Sequence, residues 1–205
     1  MVSESSGGPA PLDVKSEVTP AQDENGWEYS LCVSTYLEQH ARDFANPTLG
    51  VDHDWLHLEA RYNYEALKTG SLWFGRKFTA GDELEIEVTP MVGGVFGDST
   101  GIAPGYNISL GYKALAFFTQ GEYLFDTANQ TNNFFYTWSE LSCNLTNWLK
   151  AGIVIDRTKV LGSNFDVRRG PLLGFKCTDH LDFTTYWLNP GGREATFVFA
   201  TTVNF

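Results

Sequence analysis

From Gly26 to Phe205 the sequence is a succession of short runs in which apolar and polar residues alternate with period two. No stretch carries a helical period. Side chains of a β-strand alternate faces, so each run gives one apolar and one polar face. The clearest run places Leu84, Ile86, Val88 and Val92 opposite Glu83, Glu85, Glu87 and Thr89. Another places Leu56, Leu58, Ala60, Tyr62 and Tyr64 opposite His57, Glu59, Arg61, Asn63 and Glu65. Turn residues (KTGS, TAGD, NPGGR) punctuate the runs. The alternation predicts twelve strands, at 27–38, 43–52, 55–65, 70–78, 82–95, 104–113, 115–126, 133–145, 148–158, 166–177, 180–189 and 194–205. Pro47 falls inside the second, the weakest of the set. Tight turns near His53, TAGD, Lys113, Thr146 and Thr178 alternate with longer links, among them QHARD, GDSTGIAPG and TANQTNN.

The last stretch, Glu194 to Phe205, reads EATFVFATTVNF and stops on an aromatic residue. It resembles the closing strand of bacterial outer-membrane β-barrels, in which a terminal Phe and alternating apolar residues form the assembly signal. An even-stranded meander with short turns at one end and longer loops at the other fits the same family. The resemblance implies an all-β fold over residues 26–205: a closed antiparallel up-and-down transmembrane β-barrel of about twelve strands. It also implies a bacterial outer-membrane location and delivery by the barrel-assembly machinery through the C-terminal strand. The implied role is a narrow pore for small solutes or a structural membrane protein, not an enzyme.

Composition excludes other classes. Net charge is −11 and no stripe of Lys and Arg exists, which excludes nucleic acid as a partner. No run of 18 apolar residues is present, so no helix spans a membrane. The three cysteines have no metal spacing, and no loop has a calcium-ligand pattern, so neither metal nor cofactor is expected. Residues 1–25 are rich in Ser, Gly, Pro and Glu and read as a disordered arm. That segment has no apolar leader core, which leaves three readings: a mature chain behind an added Met, a true start upstream, or a protein that is not exported.

In a barrel the apolar faces meet lipid and the polar faces line the lumen. Lumenal charges are then His57, Glu59, Arg61, Lys77, Glu85, Glu87, Glu122, Glu140, Arg168 and Lys176. Arg61 and Lys77 are expected to neutralise the Glu83–Glu87 run. The large inward side chains Trp73, Trp138, Tyr186 and Phe118 are candidates to narrow or plug the bore. Trp27, Tyr112, Trp148 and Phe205 at one rim, and Tyr64, Tyr106, Phe125 and Trp187 at the other, form aromatic girdles toward lipid. Arg157, Arg169 and Arg193 fall near the outer rim, where guanidinium suits the phosphates of lipopolysaccharide. Two alternatives stand beside this reading. One is a soluble β-sandwich or barrel acting as a binding module, with its charged face in water. The other is a rim lipid hydrolase, which needs a Ser beside one of His40, His53, His57 or His180.

Overall fold

The computed structural model describes residues 26–192 and 194–205. The expected arm, 1–25, lies outside the described residues. Thirteen β-segments form one antiparallel sheet that closes on itself. They are β1 (Trp27–Glu38), β2 (Phe44–His53), β3 (Leu56–Tyr62), β4 (Thr69–Arg76), β5 (Phe78–Ala80), β6 (Leu84–Gly97), β7 (Gly101–Tyr112), β8 (Leu115–Asp126), β9 (Phe134–Asn144), β10 (Leu149–Val160), β11 (Asp166–Lys176), β12 (Leu181–Leu188) and β13 (Thr196–Asn204). β4 and β5 both pair with β6 and are one barrel strand interrupted at Lys77, so the wall has twelve strands. A single closed sheet removes the sandwich alternative and leaves no open edge.

Closure is made by the chain ends. β13 pairs with β1 from Ser30↔Asn204 to Glu38↔Thr196. Tyr29 and Phe205 then exchange backbone bonds at 3.0 Å in both directions, and their rings stack 5.7 Å apart. Both ends sit at one end of the barrel, called the lower end below. The lower turns are short: 54–55, 81–83, 113–114, 145–148 and 177–180. Asp54 and Lys113 supply the left-handed φ of two of them, at 51° and 53°.

The faces sort as the alternation predicts. Leu72, Phe74, Val92, Ile102, Leu115, Leu141, Ile153, Leu173, Phe197 and Phe199 are exposed on the outside. Their strand neighbours Trp73, Met91, Ala103, Val154, Leu172 and Val198 are buried inside. A predominantly apolar outer surface of this extent is disfavoured in water and suits lipid. Aromatic rings complete it at glycine positions. A Cβ on Gly70 would meet the Phe96 ring at 2.7 Å, and one on Gly121 would meet the Tyr106 ring at 2.7 Å. The rings cover the bare backbone there.

Two departures have local causes. GDSTGIAPG is mostly strand: only 98–100 connect β6 to β7, and Ile102 and Pro104 pair with Gly94 and Val92. Tyr64 is not a lipid-facing girdle residue. β3 ends at Tyr62, Asn63 takes φ 56°, and the alternation breaks there. Tyr64 and Glu65 turn into the lumen, at 4% and 2% exposure. Of the other girdle candidates, Tyr112, Trp148, Trp187 and Phe205 are exposed, while Trp27 and Tyr106 are half-buried. Pro47 is in β2, just where the ladder with β3 has ended.

Candidate functional site

Three consecutive inward positions of β3 begin the site. His57, Glu59 and Arg61 project into the lumen because they share one parity of a strand whose other parity is Leu56, Leu58 and Ala60. The His57 ring nitrogens each face a carboxylate at 2.7 Å, Nδ1 toward Asp52 and Nε2 toward Glu59. Arg61 Nε donates to Glu59, and its Nη1 donates to Glu122 Oε2 at 3.1 Å. Glu122 is on β8, three strands beyond β4 around the wall, so this bond crosses the bore. Rings hold the guanidinium on its faces: Tyr64 at 4.0 Å and Trp73 at 4.4 Å. Both distances suit cation–π attraction.

More bonds lock the ring. Gln120 donates to Tyr64 Oη, Asn107 to Glu59 Oε1 and Trp73 Nε1 to Ser71 Oγ. Three carboxylates, from Glu59, Glu65 and Glu122, surround one buried guanidinium. Burial raises the Glu65 carboxyl above its ordinary value, against the pull of Arg61. The Trp73 indole lies flat on the wall because Gly93 gives it room. A Cβ on Gly93 would stand 2.5 Å from the indole carbons. Arg61 blocks the indole from moving inward. Gly93→Ala is therefore expected to destabilise the barrel by about 1–3 kcal/mol, read as a lower midpoint for loss of the folded gel band on heating.

A second cluster sits higher in the bore. Arg168 on β11 donates to Asp156 Oδ2 from Nε at 2.9 Å and from Nη2. Its Nη1 lies 3.7 Å from Glu38 on β1. Around it pack Tyr36, Tyr136, Trp138 and Tyr186, none more than 2% exposed. Trp138 meets Tyr186 edge to face at 5.1 Å and donates to Glu140 Oε1 at 2.7 Å. Phe118 is buried at 4%. A water-filled bore would leave such side chains accessible. Here they fill the middle and upper lumen.

The lower lumen is different. It opens into two recesses of about 550 and 650 Å³ that share Lys113 and Asn144 and are bordered by Glu85, Glu87, Lys150, Lys176 and Asp182. Lys77 lies 3.4 Å from Asp52 and 4.0 Å from Glu87, and Lys176 lies 3.1 Å from Asp179. Lys77 thus meets the Glu83–Glu87 run as expected, but Arg61 does not: it is drawn to Glu59 and Glu122 instead. The ten lumenal candidates divide among three places: the Arg61 ring, the Arg168 cluster with Glu140 below it, and the lower mouth. Asp52, Glu65 and Asp156 join them. Asp52, Glu65 and Asp156 were all readable from strand parity; the break at Asn63 displaces only Tyr64, from the apolar face into the lumen.

Among the described residues no histidine side chain is hydrogen-bonded to a serine. His40 and His180 are exposed in connections, and His180 Nδ1 lies 3.1 Å from the Asn204 carbonyl oxygen.

No family model and no curated protein sequence matches the chain. Solved structures do. The KdgM porin in complex with disordered oligogalacturonate superposes with a TM-score of 0.62, at 10% identity over 86% of this chain and 99% of that one. The fold is that of the outer-membrane porins. The NanC porin gives a TM-score of 0.59 at 12% identity, covering 85% of this chain and 98% of that one. Acinetobacter baumannii Omp33 gives 0.53 at 9%, covering 89% and 100%. The porin fold thus accounts for the twelve-strand wall and its outward apolar face.

Proposed function

We propose that this protein is a narrow outer-membrane channel for small solutes, held shut at mid-lumen in the conformation described. The observation that carries this reading is the inversion of polarity: the barrel turns its apolar residues outward and its charges into the bore. A soluble binding module would do the reverse. The lower recesses form a vestibule, and the Arg61 ring is the constriction above it. The outward belt meets membrane lipid, with Arg157 and Arg169 at the level of lipopolysaccharide phosphates; Arg193 lies outside the described residues. The closing strand, ending at Phe205, is the segment the barrel-assembly machinery would engage. The role needs no chemistry on the solute, so the reading is a channel rather than an enzyme.

Charge selects the solute class. Glu28, Asp52, Glu85, Glu87 and Asp182 line the lower lumen against Lys77, Lys113, Lys150 and Lys176, and three carboxylates surround Arg61 at the constriction. The oligogalacturonate bound by KdgM is a polyanion, which such a lumen repels. Neutral or cationic solutes fit better.

The test is reconstitution. Protein refolded in detergent is expected to give a heat-modifiable gel band with a β circular-dichroism spectrum. In planar bilayers it is expected to show rare, small openings that prefer potassium over chloride under a salt gradient. A chloride preference would contradict the charge argument, and a monomer folded in plain buffer would contradict the membrane reading.

A further inference from the structure

The outer wall carries a second pattern near its upper end. β10 and β11 pair Ile155 with Arg169 and Arg157 with Val167. Arg157 and Arg169 are therefore diagonal neighbours on the same outward face, with a spacing of about 7–8 Å. Both are exposed. Among the described residues neither forms an ion pair with a carboxylate. Two adjacent cations on a lipid-facing wall are unfavourable unless an anion lies against them.

Beside them is a groove of about 860 Å³. Its floor is Ile153, Ile155 and Pro171, with Arg169 on the wall and Asn189 and Pro190 on the loop above. Glu194 is at its edge. The loop is fixed to the wall, because Asn189 N donates to the Arg169 carbonyl at 2.8 Å and Arg169 N donates to Asn189 Oδ1 at 3.2 Å. Along the barrel axis the floor runs from Ile153 and Pro171, toward mid-membrane, up to Ile155, which is level with Arg169; Arg157 follows two residues nearer the upper rim. This is the polarity of a lipid lying in the upper leaflet.

We propose that this groove seats a phosphorylated glycolipid of the outer leaflet, with an acyl chain along Ile153, Ile155 and Pro171 and a phosphate monoester between Arg157 and Arg169. Each guanidinium can hold phosphate by two parallel N–H bonds. A monoester carries nearly two negative charges and answers both arginines. A phosphodiester lipid carries one and leaves an arginine uncompensated. The inference rests on the membrane reading above.

The experiment uses the full chain refolded in detergent, with bound lipid read by native mass spectrometry. It is titrated with lipid A, with phosphatidylglycerol of matched chain length, and with inorganic phosphate alone. Wild type is expected to retain lipid A, to hold phosphatidylglycerol more weakly and to bind no free phosphate. The double variant Arg157→Gln/Arg169→Gln is expected to lose lipid A affinity by at least about tenfold, since two charge-assisted contacts disappear. Both sites are exposed, and heat-modifiability checks that the variant barrel is intact. Equal retention by the two proteins, equal binding of phosphatidylglycerol, or binding of phosphate alone would overturn this inference while leaving the barrel standing. Failure of wild type to give a heat-modifiable band would remove the membrane reading and this inference together.

Discussion

Replacing Arg61 with alanine is expected to lower barrel stability by about 3–5 kcal/mol and to increase conductance. The first effect follows from what the side chain leaves behind. Glu59 and Glu122 lose their guanidinium partner in a site where their side chains are 1% and 3% exposed. Removing one member of a buried ion pair strands the other, and that penalty exceeds the net worth of the pair. The second effect follows from geometry. Arg61 is the only described side chain bonded to both Glu59 and Glu122, and it is stacked on Tyr64 and Trp73. Without it, three carboxylates face a void lined by polar atoms, which water can enter. The check is the temperature at which the folded gel band disappears, together with single-channel current. Arg61→Ala/Glu122→Gln separates charge from volume. It removes one of the stranded charges and is expected to recover part of the lost stability while remaining more conductive than wild type. If Arg61→Ala matched wild type in both measurements, the Arg61 ring would be neither the constriction nor an important strut.

Period two made the wall legible. Once LEIEV and its neighbours are strands, parity alone assigns His57, Glu59 and Arg61 to one face and Leu56 and Leu58 to the other. What parity cannot supply is the partner across the bore. Arg61 and Glu122 are 61 positions apart, and only closure through β1 and β13 fixes which strands face each other. This is why the sequence suggests Arg61 against the neighbouring Glu83–Glu87 run, whereas the folded chain joins it to Glu122. Parity also fails where the chain leaves the ladder. One left-handed residue, Asn63, ends the alternation, and so Tyr64 enters the lumen beside Glu65, which parity already places there. A start for β7 at Gly101 was masked by its composition. Gly, Ala and Pro read as a loop, yet in a closed wall the β6 register carries Ile102 and Pro104 along as strand.

The upper rings matter for a different reason than the Arg61 ring, and Trp138 tests them. Its side chain is fully buried, edge to face with Tyr186, and its indole N–H is used by Glu140. Trp138→Ala removes the largest fully buried side chain in the barrel. Comparable truncations cost about 3–5 kcal/mol, the loss growing with the volume that cannot collapse. A strand-built wall with each backbone group in the ladder has little freedom to close in, so most of that volume should persist. Its lining is mixed, with Glu140 and Tyr186 offering polar atoms, so water rather than vacuum is expected to fill it. The variant should therefore pair a lower thermal midpoint with larger, more frequent openings. Trp138→Phe keeps most of the ring and loses only the N–H donor. It is expected to cost about 1–3 kcal/mol for the unmade bond to Glu140 and to stay closed. The contrast isolates ring volume as the plug: if phenylalanine opened the bore as fully as alanine, the hydrogen bond to Glu140 would be holding it shut, and if neither did, the Arg61 ring alone would close the lumen.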